Sequence, residues 1–242
     1  MQYTFELARS PERFNALANL PQIRPRIAPL SAGVIDLTSG WANCLGFLWP
    51  EGGFLLHQRD DDGLWEIHTL FEKGRGAHER SLEVLHYMFV RAGCKKLTTR
   101  VPASNVKALA LAKAGGMRDE FKVPQIWDGP EGIEDLHVLE LRPDQWIVGN
   151  SRLQEVGQEV HRALESSGFH TNHGDDPVHD QFVGFVAECY RAGIPNRGIY
   201  YYNRWAVSCG YTPIRFVDHQ TAAFENVQVK VLLTGYEVTS CP

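Results

Sequence analysis

Residues 64–117 read LWEIHTLFEKGRGAHERSLEVLHYMFVRAGCKKLTTRVPASNVKALALAKAGGM and decide the expected fold of the chain. The segment 64–71 has the length and apolar content of a strand. After it the period changes, because apolar residues recur at helical spacing at Leu82, Leu85, Phe89 and Ala92. Residues 95–101 predict a second strand, and 105–114 predict an alanine-rich helix that glycines end. The segment therefore reads strand, loop, helix, strand, loop, helix.

The loop between the first strand and the first helix has the composition of a phosphate site. It reads KGRGA at 73–77, directly before the predicted helix. Free amides at a helix N-terminus, together with the helix dipole, favour an anion such as a diphosphate. The glycines let the backbone approach such a ligand, and Lys73 and Arg75 add positive charge. The same residues also fit an ordinary glycine-rich turn, so both interpretations stay open.

The order and spacing of these elements resemble the GNAT family of acyl-CoA-dependent N-acetyltransferases. The family motif R/Q-x-x-G-x-G/A aligns with KGRGAH at 73–78. A second family pattern, N-x-x-A-x-x-L-Y-x-x-x-G-F, is matched at Asn105, Ala108, Leu111, Gly116 and Met117. The resemblance covers residues 1–142 and is specific over 64–117.

The resemblance implies an α+β fold with a mixed, mostly antiparallel and strongly bent sheet, flanked by helices and splayed at its centre. Acetyl-CoA would bind as cosubstrate in the resulting cleft, with its pantetheine arm beside 64–71. The pyrophosphate would rest on unpaired amides that follow Phe71, and Asn105 would hydrogen-bond to the pantetheine arm. The expected cofactor-binding residues are Phe71, Lys73, Gly74, Arg75, Gly76, Ala77, His78 and Asn105.

Three residues depart from the family patterns. Lys73 keeps a donor in place of the usual Arg or Gln. His78 stands where the family has Gly or Ala, and its bulk would crowd the phosphates. Ala112 stands where many relatives carry the tyrosine that protonates the leaving thiolate, so no proton donor is expected there. The pattern therefore supports coenzyme binding better than turnover.

The candidate catalytic pair is Glu66 and His68. They lie two residues apart on the predicted strand 64–71, so they share one face of it. Acetyl transfer to an amine needs a base that accepts the amine proton and donors near the thioester oxygen. The alternative is that both residues form only the polar face of a half-exposed strand.

Short strands and turns fill the rest of residues 1–142. A helix over 10–20 is expected to open with Ser10 as N-cap and Pro11 at its first position. Prolines make 21–31 irregular. The remaining strands are expected near 3–7, 41–49, 53–58, 117–123 and 136–142, with a loop between the last two.

A domain boundary is expected near Arg142-Pro143, with a smaller helical or α+β domain of unknown role over 143–242. Amphipathic periodicity predicts helices near 151–167, 177–192 and 198–209. Residues 226–233 alternate between apolar and polar and predict a strand. The sequence gives no catalytic group in this part.

Two side-chain clusters in the second part have a second interpretation. Residues 170–180, HTNHGDDPVHD, mix imidazoles and carboxylates that could bind a divalent metal. Their glycine, aspartates and proline equally predict a solvated loop and a helix N-cap, and no metal is assigned. The aromatic residues 200–202 and Trp205 fit a protein interface or a helix face that packs in the core.

Composition limits the classes of protein. The 242 residues include 24 Lys+Arg and 29 Asp+Glu, a net charge of −5 that argues against a dedicated nucleic-acid binder. The sequence contains no membrane-spanning apolar run, and its first residues do not resemble a signal peptide. Five widely spaced cysteines without a CxxC motif predict reduced thiols and a cytoplasmic protein.

Two functions follow from these patterns. The first is an acetyl-CoA-dependent N-acyltransferase that acetylates an amine on a small molecule or a protein. The second is a non-catalytic protein that keeps the fold as a scaffold and assembles with itself or a partner through residues 143–242. Chains with an RGA opening and an extra C-terminal domain resemble ones found in bacteriophages, which would imply a virion or host-modifying component.

Overall fold

The computed structural model describes residues 2–72, 76–169, 176–225, 227–232 and 234–240. Two compact units make up the chain, Met1–Pro143 and Asp144–Pro242. Across the described ranges, no helix is long and apolar enough to cross a membrane. Cys44, Cys94, Cys189 and Cys209 are free thiols, and Cys241 lies outside the described residues.

The first unit contains one seven-stranded sheet with the order β1-β2-β3-β4-β5-β7-β6. Among the described strands of this sheet, only β4 and β5 pair in parallel, whereas every other neighbouring pair is antiparallel. The predicted fold class, a mixed and mostly antiparallel sheet flanked by helices, is confirmed. The strands are β1 (Glu6–Leu7), β2 (Cys44–Trp49), β3 (Gly52–Gln58), β4 (Leu64–Phe71), β5 (Lys96–Pro102), β6 (Arg118–Gly129) and β7 (Gly132–Leu141).

Helices cover both faces of this sheet. They are α1 (Glu12–Ala18), α2 (Arg24–Ile27), α3 (Ala77–His86) and α4 (Val106–Ala114), and a π-turn at Tyr87–Arg91 extends α3. On one face, Phe14 and Leu17 of α1 pack with Leu55 and Leu70 in a buried cluster. Successive strand residues point to opposite faces. The next residue of β4, Phe71, therefore points to the other face, where Arg80 of α3 lies 5.5 Å from its ring.

The feature that positions the site is the divergence of β4 and β5. Their pairing covers three residues on each strand and ends at Glu66 opposite Thr98. Both strands continue beyond this point, β4 to Phe71 and β5 to Pro102. The sheet therefore opens at its centre, as the family resemblance implied.

The expected loop between 123 and 136 was wrong. Strands β6 and β7 form one long hairpin that turns between Gly129 and Gly132. Pro124 is tolerated because β6 is the edge strand of the sheet and the pairing shifts register between Val123 and Trp127. Proline and glycine were read as loop signals, although an edge strand with a bulge accommodates them.

The N-terminal elements also differ from expectation. Strand β1 is limited to two residues, Glu6–Leu7, instead of 3–7. Helix α1 begins at Glu12, so Pro11 and not Ser10 occupies the N-cap position. The region 21–31, expected to be irregular, contains α2 and the start of a 3₁₀ turn at Leu30–Ala32.

The second unit combines four helices with a four-stranded antiparallel sheet of order β11-β10-β9-β8. The helices predicted near 151–167, 177–192 and 198–209 are present, and so is a strand within 226–233. Strands β8, β9 and β11 were not predicted. The elements are α5 (Pro143–Ile147), α6 (Ser151–Ser166), α7 (Pro177–Arg191), α8 (Pro195–Cys209), β8 (Arg215–Phe216), β9 (Thr221–Phe224), β10 (Val227–Val231) and β11 (Tyr236–Ser240).

Candidate functional site

A cleft of about 730 Å³ lies where β4 and β5 diverge. Small-molecule sites typically enclose roughly 300–1,000 Å³. Its walls come from α2, α3, α4 and the strands β3, β4 and β5. All of the described lining residues fall between Gln22 and Met117, within the first unit.

The edge of β4 that faces β5 presents peptide groups to this cleft. The Trp65 and Ile67 carbonyls accept hydrogen bonds from the hydroxyls of Thr98 and Thr99, at 3.2 and 3.0 Å. Odd-numbered peptide groups of β4 therefore point towards β5. The pairing between β4 and β5 ends at Glu66. On this edge of β4, the peptide groups of Thr69 and Phe71 therefore have no strand partner among the described residues. An extended ligand with amide groups can hydrogen-bond to such an edge.

The N-terminus of α3 forms one end of the cleft. Gly76 precedes the helix with φ +73°, a left-handed conformation that favours glycine. No described side chain caps the helix, and its first amides, from Ala77 to Glu79, have no intrahelical acceptor. Gly76, Ala77 and His78 line the cleft, so these amides suit an anionic group.

The expected phosphate loop is described only in part. Lys73, Gly74 and Arg75 lie outside the described residues. The amide of Glu72 donates to the Glu51 carbonyl at 3.2 Å, so the expectation of unpaired amides directly after Phe71 is wrong at Glu72. Among the described residues, the candidate position for an anion is therefore the start of α3.

Asn105 lies at the N-terminus of α4 and lines the same cleft. Its side-chain oxygen accepts a hydrogen bond from the Ala108 amide at 3.3 Å, so it caps the helix. The side-chain amide nitrogen can donate to a pantetheine arm, and the oxygen can still accept a second hydrogen bond. That contact stays a prediction.

Glu66 and His68 lie together, as predicted, but in different environments. The Glu66 side chain is 4% exposed, and its carboxylate accepts hydrogen bonds from the guanidinium groups of Arg59 and Arg100. Burial alone would raise the pKa of the Glu66 carboxyl, but the hydrogen bond and charge of Arg100, with His68 and Arg59, lower it. Glu66 is thus an anion already held by two cations, and it does not line the cleft.

His68 does line the cleft, and its Nε2 is 3.6 Å from the nearer Glu66 oxygen. Burial lowers the pKa of the imidazole below its usual value, Glu66 opposes this shift, and Arg100, Arg59 and His57 add to it. The ring is therefore neutral near pH 7 and can accept a proton. The sequence placed the two residues on one face, but it could not show that only His68 reaches the cleft.

Two residues that line the cleft differ from the family pattern, one in size and one in its chemical group. His78, where the family has a small residue, is exposed at the start of α3 and lines the cleft. Ala112 lines it as well. No tyrosine occurs among the described lining residues, so none of them replaces the missing phenol.

Sequence reasoning missed the contribution of α2 to the site. Gln22, Ile23, Arg26 and Ile27 line the cleft, although they lie about 40 residues before β4 in the chain. No local motif marks them, because only the packing of α1 and α2 on the sheet brings them there.

The polar clusters of the second unit have structural roles in the described residues. Asp176 caps α7 by accepting from the Val178 and His179 amides. His161 and Asp180 pair at 2.7 Å, and His179 hydrogen-bonds to the Tyr202 hydroxyl at 3.1 Å. His161, His179 and Asp180 place ligand atoms within 4.8 Å of one another. His170, His173 and Asp175 lie outside the described residues.

The aromatic residues of α8 divide between core and surface. Tyr202 is buried, and Trp205 stacks on Phe182 with ring centroids 4.7 Å apart. Tyr200 is exposed. The core interpretation therefore holds for Tyr202 and Trp205.

Comparison with known proteins gives matches only among solved structures. No protein-family model matches the sequence, and no curated protein matches it. One similar structure is a GNAT-family acetyltransferase from Bacillus anthracis, at 16% identity and a TM-score of 0.37, covering 41% of this chain and 66% of that one. Another is a mutant form of the spermidine/spermine N-acetyltransferase SpeG from Vibrio cholerae, at 16% identity and a TM-score of 0.42, covering 45% and 72%.

These neighbours are acetyltransferases, and the motifs at 73–78 and 105–117 resemble the GNAT family. The identities and TM-scores limit the likeness to general features of the fold. Any functional assignment of this chain must therefore come from the geometry of its own cleft.

Proposed function

We propose that this protein binds acetyl-CoA in the cleft between β4 and β5 and transfers the acetyl group to an amine. The observation that carries this proposal is one continuous cleft with two kinds of unpaired backbone donor. The open edge of β4 offers peptide groups at Thr69 and Phe71, and the start of α3 offers the amides of Ala77 and His78.

The two donor sets match the two halves of the coenzyme. The pantetheine arm is an extended chain with amide groups, which suits the edge of β4. The pyrophosphate is a dianion, which suits a helix N-terminus. Asn105 and Phe71, both lining the cleft, would contact the arm between these sites.

His68 is the proposed general base. Its depressed pKa keeps the imidazole neutral near pH 7, so it can take the proton that the attacking amine must lose. Glu66 acts as a positioning residue, because its buried carboxylate lies beside the His68 ring and attracts the imidazolium that forms. Acetyl-CoA would supply an acyl group that is already activated as a thioester. Amides on the edge of β4 could stabilise the charge that develops on the thioester oxygen.

The test is release of free thiol from acetyl-CoA in the presence of a panel of amines. We expect amine-dependent release by the wild type and about a hundredfold or greater loss in kcat for His68→Ala. His137→Ala is the control, because His137 does not line the cleft. If acetyl-CoA binds and no amine is acetylated, the protein is a non-catalytic member of this fold, as the scaffold alternative holds.

A further inference from the structure

The cleft has two sides because it passes between the strands. On one side, α3 packs near Phe71, and this side contains the helix N-terminus proposed for the phosphates. The other side faces α1 and α2, since Leu70 packs with Phe14 and Ile23. His68 lies two residues before Leu70 on β4, so its side chain points to the same face of the sheet, the α2 side. The Arg100 side chain lies on the same side, because it donates a hydrogen bond to Glu66. With the coenzyme on the α3 side, the acceptor would enter from the α2 side.

The α2 side carries excess positive charge. Arg26 lines the cleft and forms no ion pair with any described residue. Arg100 shares the single carboxylate of Glu66 with Arg59, so two guanidinium groups face one anion. The Arg100 side chain remains 47% exposed, which leaves part of its guanidinium accessible to a ligand.

Two carboxylates occur among the described lining residues, those of Glu72 and Glu79. Glu79 is in the first turn of α3. Glu72 directly precedes the loop to α3 and lies 3.8 Å from Arg13. Among the described lining residues, none provides an uncompensated carboxylate beside Arg26 and Arg100. A polycationic amine would therefore meet an excess of positive charge there, because Arg26 has no ion pair among the described residues and Arg100 shares Glu66 with Arg59.

We infer that the acceptor is a small amine that also carries a carboxylate, as in the amino-acid class. This inference rests on the proposed function and names its substrate class. Guanidinium groups bind carboxylates through paired, charge-assisted hydrogen bonds. Arg26 and Arg100 would hold the carboxylate and leave the amine near His68. The acid group thereby excludes polyamines, which present only positive charge.

The test compares each amino acid with its own amide, which has the same amine and no negative charge, and with spermidine. We expect kcat/KM to be at least about tenfold higher for the acid than for its amide and lowest for spermidine. In Arg26→Gln, KM for the acid should rise about tenfold while KM for the amide stays the same. Arg26→Lys should restore part of the preference. Arg118→Gln, an exposed arginine outside the cleft, is the control.

Calorimetry with acetyl-CoA on the same proteins distinguishes a failure of the proposed function from a failure of the inference on the acceptor. Wild type and Arg26→Gln should bind acetyl-CoA equally, and absence of binding overturns the proposed function itself. If acetyl-CoA binds but spermidine or the amides are preferred, the inference on the acceptor is wrong and the acyltransferase proposal stands. If no amine is acetylated, calorimetry compares the affinities of the acids and of their amides for the CoA-loaded protein. Tighter binding of the acids supports the inference, and equal affinities overturn it.

Discussion

His68 is the residue on which proposed turnover depends, and its ionisation gives a direct prediction. A base acts only when unprotonated, so activity is lost as pH falls through the pKa of His68. Burial puts that pKa below its usual value of 6.5. Dividing the pH–rate profile of the wild type by that of His68→Ala cancels the ionisation of the acceptor amine. This ratio should be constant near pH 7 and should decrease at pH values below about 6.5. A ratio that does not change between pH 5 and 8 would contradict the assignment.

Glu66 gives a prediction about stability. Its pKa is lowered in the folded state, so its contribution is present above its unfolded pKa and is lost as pH falls through the folded value. Glu66→Gln leaves Arg59 and Arg100 without their anion and should lower the free energy of unfolding by about 1–3 kcal/mol near pH 7. Urea denaturation measures this loss, which should shrink below about pH 4. The exposed Glu131→Gln is the control, and equal stability of the two variants would show that the cluster contributes nothing.

At this scale the sequence predicted the pair but not its surroundings. The period of two placed Glu66 and His68 on one face, and the structure has them there. The two arginines that neutralise Glu66 come from the end of β3 and from β5, through strand register. Register between distant segments is a tertiary property, so local pattern could not assign the base to His68 and the positioning role to Glu66.

The start of α3 is the element that would hold the pyrophosphate. The Asn and Asp side chains have similar shape, and both residues tolerate the left-handed conformation of position 76, but only Asp adds negative charge. The variants Gly76→Asn and Gly76→Asp therefore isolate the effect of charge. We expect Asp to weaken acetyl-CoA binding at least about tenfold relative to Asn, because it repels the phosphates. Calorimetry measures both affinities, and thermal unfolding verifies that the two variants are equally folded. Equal affinities would mean that the phosphates bind elsewhere.

Helices α6 and α7 cross with their backbones in contact. A Cβ on Gly157 would lie 2.0 Å from the Asp180 carbonyl oxygen, and one on Gly184 would lie 1.9 Å from that of Leu153. Alanine usually stabilises a helix relative to glycine. Here Gly157→Ala should destabilise the unit by about 1–3 kcal/mol, since the helices must move apart. Chemical denaturation tests this against Glu165→Ala, an exposed position on α6. A stabilised Gly157→Ala would refute the close crossing.

Elements with strong local periodicity were predicted well, and elements defined by pairing were not. Helices α6, α7 and α8 and strands β2 to β4 lie close to their expected positions, whereas α5 was not predicted. The β6–β7 hairpin was missed because Pro124 and the glycines resemble loop signals, although the edge position tolerates them. Strands β8, β9 and β11 are short, and pairing rather than alternation defines them.

At the scale of the whole molecule, the site combines local and distant segments. The proposed cofactor side comes from a continuous stretch that begins at β4, which is why sequence motifs could indicate it. The proposed acceptor side depends on α2, which folding brings to the sheet from an earlier part of the chain. None of the described residues of the second unit, Asp144–Pro242, lines the cleft, and the part of this unit in assembly or acceptor choice stays a prediction.

The central claim is that the divergence of β4 and β5 creates a binding site for acetyl-CoA. Isothermal titration of the full-length protein with acetyl-CoA tests it most directly. The account predicts binding of one molecule per chain, with an affinity that Gly76→Asp weakens more than Gly76→Asn does. Absence of heat and of any thermal stabilisation at millimolar acetyl-CoA would contradict it.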